Sequence, residues 1–92
     1  MADTVVERTA TIVNQDGLHA RPAAQIVRIA STFDSDIELS KDGMDVNGKS
    51  IMGVMMLAAE CGSAIIIRAT GHDAERAVEA LAALVDGGFG EP

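Results

Sequence analysis

The sequence predicts an α+β fold whose elements follow the order β-α-β-β-α-β-α. Three observations lead to this class. Segment 4–13 alternates in polarity and segment 63–70 is rich in isoleucine, as expected for strands. Apolar residues recur at helical spacing after residues 20 and 73. The pair Asp42-Gly43 marks a tight hairpin between two short strands. On these patterns alone, the order of elements is compatible with a split ferredoxin-like sandwich.

The first strand is predicted over residues 4–13. Val6, Ala10 and Ile12 fall on one side of it, and mostly polar residues fall on the other. Because side chains alternate across a strand, this segment should have one buried and one wet face.

A turn followed by a helix is predicted next. Gly17 permits a tight turn because glycine takes positive φ at low steric cost. Pro22 fits the first helical turn, where its missing N–H would have no partner in any case. From Ala23 onward apolar residues recur on one helix face, and the helix should end near residues 31–33.

Two short strands, 36–39 and 44–46, flank the hairpin sequence Ser40-Lys41-Asp42-Gly43. Asn47-Gly48 closes the second of them and leads into Ser50. Serine is a preferred N-cap, so Ser50 should begin a short helix that continues to about residue 59.

This second helix has almost no polar face, so part of its apolar surface should be exposed in so small a domain. The residues predicted to point inward are Val54, Leu57 and Ala58. The residues predicted to point outward, beside Ser50, are Ile51, Met52 and Met55. Methionine adapts to differently shaped partners, which favours a docking surface here. Simple core packing of these side chains is the alternative.

The last strand is predicted over residues 63–70, and the last helix follows it. Asp73 is predicted to cap this helix, which Gly87-Gly88 should stop. His72 is expected in an exposed loop, without a metal or catalytic role. Residues 89–92 are interpreted as a short tail.

Composition excludes several classes of function. The 92 residues suggest one domain, 1–92, and the net charge of −7 argues against nucleic acid as a partner. No apolar run approaches the roughly 20 residues of a membrane span, and no signal peptide is evident, so we expect a cytoplasmic protein without membrane attachment. A single cysteine, Cys61, suits a reducing compartment and is interpreted as a buried or half-buried filler.

Two windows of this acidic sequence contain no acidic residue, 17–33 and 46–59. The basic residues inside them are Arg21, Arg28 and Lys49. These windows predict a neutral-to-positive surface around His19 and Ser50. Such a surface suits phosphate groups and partners with acidic docking faces.

His19 is the residue whose position most clearly indicates a chemical role. It comes at or just before a helix N-terminus, where backbone N–H groups lack helical acceptors and the helix dipole attracts anions. Arg21 adds a planar guanidinium suited to phosphate oxygens. Together these groups indicate a histidine that carries a phosphoryl group. An exposed cap histidine without chemical function is the alternative.

Two motifs resemble one known family. Gly17-Leu18-His19-Ala20-Arg21-Pro22-Ala23 resembles the active-site signature of the histidine-containing phosphocarrier (HPr) family of the bacterial phosphotransferase system. Lys49-Ser50-Ile51-Met52-Gly53-Val54-Met55 resembles the regulatory serine region of that family. The motifs follow in the family's usual order and separation, and the likeness extends over about residues 5–84.

The resemblance implies an open-faced β-sandwich, in which three helices cover one face of a four-stranded antiparallel sheet. It also implies a phosphocarrier that is not itself an enzyme and needs no cofactor or metal. Enzyme I would phosphorylate His19, through Nδ1, and an enzyme IIA domain would receive the group. The phosphate would contact Arg21 and the N–H groups of Ala20, Arg21 and Ala23.

The second motif implies a regulatory site. Ser50 matches the serine that an HPr kinase/phosphorylase modifies in many bacteria, and an unmodified cap serine is the alternative. The residues predicted to contact partner proteins are Arg28, Ile51, Met52 and Met55. A monomer is expected.

Two other kinds of protein are alternatives to a phosphocarrier. A purely regulatory binding module would depend on Ser50 and the methionines, but a regulator subfamily of this kind lacks the active-site histidine that is present here. An unrelated ferredoxin-like ligand-binding domain would make both motifs coincidental. Within the family that the motifs resemble, a sugar-transport branch and a nitrogen-type regulatory branch use similar carriers, so both stay open here.

Overall fold

The structure is a computed structural model that describes residues 4–92. Its elements, in chain order, are β1 (Val5–Thr11), α1 (Ala20–Ala30), β2 (Asp36–Lys41), β3 (Met44–Asn47), α2 (Ile51–Met56), β4 (Ala64–Thr70), α3 (Ala74–Asp86) and a 3₁₀ turn (Gly88–Gly90). The predicted element order is confirmed.

The four strands form one antiparallel sheet in the order β1-β4-β2-β3. The three helices cover one face of it, so the fold is the open-faced α+β sandwich that the resemblance implied. The opposite face is exposed and mostly polar, although Val5 and Ile66 also lie on it. There Arg68 of β4 bridges Glu7 and Glu38 on the strands at either side, at 2.7 and 3.2 Å.

The core lies between the helices and the covered face of the sheet. Strand residues of one parity enter it, among them Ala10, Ile37, Leu39, Ile65 and Ile67. Their neighbours in the chain point to solvent, as strand alternation requires. The helices contribute apolar residues spaced by three and four: Ala23, Ile26, Ala30, Val54, Ala74, Ala77, Val78, Leu81 and Val85.

The β2–β3 hairpin turns at Asp42-Gly43 as predicted, but β2 continues to Lys41, two residues beyond its predicted end, so the turn has only two residues. Asp42 and Gly43 both have positive φ, 50° and 84°, as a type I′ turn requires. The turn thus matches the right-handed twist of the two strands that it joins.

Helix α2 is shorter than predicted, since it ends at Met56 rather than near residue 59. Ala58 takes a left-handed conformation with φ 48°, which terminates the helix and leaves the Ala59 carbonyl free to accept the N–H of Leu18 at 2.9 Å. The prediction that Ala58 points inward is therefore wrong. Ala58 is exposed, and Ala59 is buried in its place.

Asp73 precedes α3 as predicted, but its carboxylate does not cap that helix. It accepts the N–H groups of Asp34 and Ser35 at 2.9 and 3.0 Å, together with the Ser35 hydroxyl. Asp73 thus joins the start of α3 to the loop between α1 and β2. His72 is exposed, as predicted, and its Nε2 lies 2.9 Å from Asp34 Oδ2.

Two expectations for smaller segments are wrong. Cys61 is an exposed residue of the turn before β4 rather than a buried or half-buried filler. Residues 89–92 are not a simple tail, since Phe89 is buried against the core. Within residues 4–92, no helix combines the length and the apolar character needed to cross a membrane.

Candidate functional site

The turn that presents His19 is built around Gly17. Its φ of 67° lies in the left-handed region, and a Cβ there would come 2.5 Å from the Ala59 carbonyl oxygen. Any side chain would therefore push the turn away from the segment after α2. The N–H of His19 donates to the Gly17 carbonyl at 3.0 Å and closes the turn.

His19 is the N-cap of α1, with extended backbone and an imidazole that is 40% exposed. The N–H groups of Ala20 and Arg21 have no protein acceptor among residues 4–92, and Pro22 has no N–H to offer. Ala23 differs, because its N–H donates to the His19 carbonyl at 3.1 Å. The prediction of a free N–H at Ala23 is therefore wrong, since the first helical bond of α1 already uses it.

A carboxylate that the sequence analysis did not single out completes the site. Oε1 of Glu91 lies 2.8 Å from Nε2 of His19, although the two residues are 72 positions apart. The same Oε1 accepts Nδ2 of the buried Asn14 at 2.9 Å, and Asn14 also donates to the Gly17 carbonyl at 2.8 Å. Asn14 thus ties the carboxylate to the turn that carries the histidine.

The segment carrying Glu91 is anchored at two points. Phe89, 5% exposed, packs into the core with a φ of 59°. This conformation is unfavourable for a bulky residue, so packing must hold it in place. Downstream of Glu91, the Pro92 carbonyl accepts the N–H of Gln15 at 2.8 Å. Glu91 is therefore held from both sides against the turn that carries His19.

The surroundings of Glu91 favour the ionised form of its carboxyl group. The hydrogen bond with His19 lowers the pKa of its carboxyl most, and the hydrogen bond from Asn14 lowers the pKa further, against the opposing effect of burial. The Glu91 side chain is only 9% exposed.

Arg21 lies on the exposed first turn of α1, with 69% of its side chain accessible. Its Nη1 is 3.9 Å from Oε2 of Glu91, at the outer limit of an ion pair. The guanidinium is thus near the imidazole without being committed to the carboxylate.

The surface around His19 is not free of acidic residues, contrary to the expectation from the acid-free windows. Glu91 contacts the imidazole, and carboxylate oxygens of Asp16 and Glu91 lie within 4.8 Å of a His19 ring nitrogen and of each other. The absence of acidic residues from window 17–33 describes only the residues close to His19 in the sequence. Glu91 lies far from that window in the chain and reaches His19 through the fold.

Ser50 lies away from His19, at the other end of α1. Its hydroxyl caps α2 by accepting the N–H of Gly53 at 3.1 Å. Nζ of the adjacent Lys49 donates to the carbonyl of Phe33, just past the end of α1, at 2.8 Å. The segment after α2 contacts Gly17 and Leu18 instead, so the two helices run in opposite directions. An eleven-residue helix is about 16 Å long, which sets the scale of the separation of Ser50 from His19.

The apolar side chains predicted to be exposed on α2 are exposed. Ile51, Met52 and Met55 are 45%, 75% and 42% accessible, and Met56 joins them at 62%. Arg28 is exposed in the last turn of α1. We call Ile51, Met52, Met55 and Met56 the α2 patch. Its proposed role in partner binding stays a prediction.

Two groups of side chains within residues 4–92 are close enough to share a cation: Asp16, His19 and Glu91, and Asp34, His72 and Asp73. In the second group Asp73 already accepts three hydrogen bonds. That the protein needs no metal stays a prediction.

Glu91 was missed because an acidic residue near an apparent tail has no sequence signal of its own. One signal was available in Phe89, since the chain has only two phenylalanines and one of them stands in this segment. A large aromatic residue between two glycines indicates that the segment is anchored in the core.

The comparisons with known proteins agree with this geometry. The family model described as "PTS HPr component phosphorylation site" matches residues 6–86. The chain is 45% identical over 87 residues to the phosphocarrier protein HPr of Cupriavidus necator. The aligned region covers 95% of this chain and 98% of that protein.

Two solved structures are similar to most or nearly all of this chain. The crystal structure of HPr-C-His from Thermoanaerobacter tengcongensis has a TM-score of 0.90 at 47% identity, covering 95% of this chain and 98% of that one. The crystal structure of Crh, a catabolite repression protein of Bacillus subtilis described as a domain-swapped dimer, has a TM-score of 0.74 at 49% identity and covers 79% and 84%.

Proposed function

The chain belongs to the HPr family of phosphocarriers of the phosphotransferase system, and from that premise we propose that His19 is its phosphoryl acceptor. Enzyme I would donate the group and an enzyme IIA domain would receive it. The observation that supports His19 best is its place as the N-cap of α1, beside the unpaired N–H groups of Ala20 and Arg21.

Imidazole suits a reversible relay. In this proposal Enzyme I carries the phosphoryl group on a nitrogen of its own histidine. A ring nitrogen of His19 attacks phosphorus with its lone pair, the bond between phosphorus and that donor nitrogen breaks, and the electron pair stays with the donor. The ring later leaves as readily as it attacked. On this proposal the chain is a stoichiometric carrier rather than an enzyme, and it works as a monomer in the cytoplasm.

The experiment is incubation with phosphoenolpyruvate and Enzyme I, followed by tests of the acid and base stability of the bound phosphate. We expect an acid-labile phosphohistidine that is absent from His19→Ala. His72→Ala is the matched control, since His72 also has an Nε2 beside a carboxylate but precedes the N-cap of α3 instead of occupying that position, as His19 does in α1. Labelling that persisted in His19→Ala and vanished in His72→Ala would contradict the assignment.

We further propose that Ser50 is a regulatory site for an HPr kinase/phosphorylase. Its hydroxyl is half-buried at the cap of α2, beside the α2 patch. The likeness to Crh, whose name refers to catabolite repression, is in keeping with a regulatory serine. Incubation with that kinase and ATP should give an acid-stable phosphoserine that is absent from Ser50→Ala, and no labelling would contradict the proposal.

A further inference from the structure

The ring nitrogens of His19 have different surroundings. Nε2 is covered by Oε1 of Glu91 at 2.8 Å, whereas Nδ1 has no hydrogen-bond partner among residues 4–92. Asn14 Nδ2 donates to the same Oε1 and orients the carboxylate. An ionised carboxylate accepts hydrogen bonds and donates none, so the proton in this contact belongs to Nε2. In the neutral ring the lone pair is therefore on Nδ1.

We infer that Glu91 is a positioning residue for His19, which covers Nε2, holds the proton there and leaves Nδ1 as the nitrogen that attacks phosphorus. This inference rests on the proposed function and deepens it. It assigns a role to the contact between His19 and Glu91, which are 72 positions apart in the chain. Neither sequence motif contains Glu91.

The transfer conserves bonds and charge, and no proton has to leave His19. The Nδ1 lone pair forms the bond to phosphorus, and the donor nitrogen keeps the electrons of the bond that breaks. Because Nε2 keeps its proton, the phosphorylated ring carries a positive charge. The adjacent Glu91 carboxylate stabilises that charge, and the ring becomes neutral again when the phosphoryl group leaves.

The test uses phosphoramidate, a chemical donor that requires no Enzyme I, on the full chain in a His72→Ala background so that His19 is the one histidine labelled. NMR distinguishes the Nδ1 and Nε2 phosphoryl isomers. It also reports the ring tautomer through ¹⁵N shifts at about pH 8.5, above the ordinary range of histidine titration.

The parent protein should give the Nδ1 isomer. Glu91→Ala uncovers Nε2, so the Nε2 isomer should appear and the ¹⁵N shifts should move toward a mixture of tautomers. Glu91→Gln can still accept from Asn14 and His19, so it should keep the Nδ1 isomer. It lacks the charge, however, and should react about tenfold more slowly, as for the loss of one charge-assisted contact.

Asp16→Asn is the matched control, because Asp16 is a nearby carboxylate with no hydrogen bond to the ring. It should keep the parent isomer and tautomer. Glu91→Ala with only the Nδ1 isomer and parent ¹⁵N shifts would overturn the inference. If Glu91→Ala did not fold, the test would rest on Glu91→Gln. A Glu91→Gln variant that reacted with phosphoramidate at the parent rate would then contradict the inference.

The two proposals fail separately. Absence of labelling by Enzyme I, with the isomers responding to Glu91 as expected, would contradict the proposed function alone. Nδ1 labelling by Enzyme I in every Glu91 variant, with no change of tautomer, would contradict this inference alone.

Discussion

We expect Arg21 to act on the phosphate rather than on the fold. Its side chain is mostly exposed, and the contact with Glu91 at 3.9 Å is too long and too exposed to stabilise the protein much. Arg21→Ala should therefore slow phosphoryl transfer from Enzyme I by about tenfold or more, as for the loss of one charge-assisted phosphate contact, and leave the melting temperature nearly unchanged.

Lysine at this position should restore only part of the rate, because it lacks the two-pronged geometry of arginine. Arg76→Ala, which removes an exposed arginine from α3, is the control for loss of one positive charge. Full transfer activity in Arg21→Ala would show that the helix N-terminus holds the phosphate without the guanidinium.

At the scale of elements, the 3₁₀ turn Gly88–Gly90 anchors Glu91. Phe89→Ala removes a buried aromatic side chain and should lower the free energy of unfolding by about 3 kcal/mol. Because the segment also loses its anchor, we expect the Glu91–His19 contact to loosen as well. Chemical denaturation measures the first effect, and the ¹⁵N shifts of His19 measure the second.

Leu81→Ala, also buried in the core but on α3, is the control for a loss of stability that leaves this turn in place. It should destabilise the protein and keep the parent ¹⁵N shifts. Parent shifts in Phe89→Ala would mean that the hydrogen bonds from Gln15 to Pro92 and from Asn14 to Glu91 hold the segment without the aromatic anchor.

The opposite directions of α1 and α2 decide how a charge on Ser50 can act. The length of α1, about 16 Å, is twice the Debye length of about 8 Å at physiological salt, so a phosphate on Ser50 should repel one on His19 only weakly. It lies beside the α2 patch, however, where an acidic partner would need apolar contact. Ser50→Asp should raise the KM for Enzyme I at least about fivefold, or about 1 kcal/mol, with little change in melting temperature.

Added salt should recover part of this loss, because the repulsion is between exposed charges. Thr11→Asp adds the same charge to β1, away from the α2 patch, and should leave the KM near that of the parent protein. Equal KM values for the parent and Ser50→Asp at low salt would contradict the prediction.

For the whole molecule, Asp73 makes stability depend on pH. The Ser35 hydroxyl, followed by the Asp34 N–H, lowers the pKa of this carboxyl from 3.8 to about 2. A carboxyl whose pKa is depressed on folding stabilises the fold above its unfolded pKa and stops doing so as the pH falls through its folded pKa. The contribution of Asp73 should thus be complete above about pH 4 and lost toward pH 2.

Asp73→Asn keeps the shape of the side chain but cannot ionise. In urea unfolding at a series of pH values, the parent protein should exceed the variant in stability most above about pH 4, and the difference should shrink toward pH 2. A difference that stays constant over this range would show that the ionisation of Asp73 is not linked to folding.

The sequence predicts local features of this molecule well and distant ones poorly. The order of elements, the Asp42-Gly43 turn and the place of His19 at a helix start follow from neighbouring residues, and each is confirmed. The early end of α2 and the partners of Asp73 depend on contacts with distant segments. Glu91 depends on them entirely, since a segment anchored by a single phenylalanine has no periodicity to read.

The contact between His19 and Glu91 also has a consequence for protein synthesis. A ribosome adds about 5–20 residues per second, so about 4–14 s separate the making of the histidine from the making of its carboxylate partner. Throughout that interval the nascent chain carries an imidazole whose Nε2 nothing covers. The site is therefore completed only when the segment with Glu91 docks onto a segment that was synthesised 72 residues earlier.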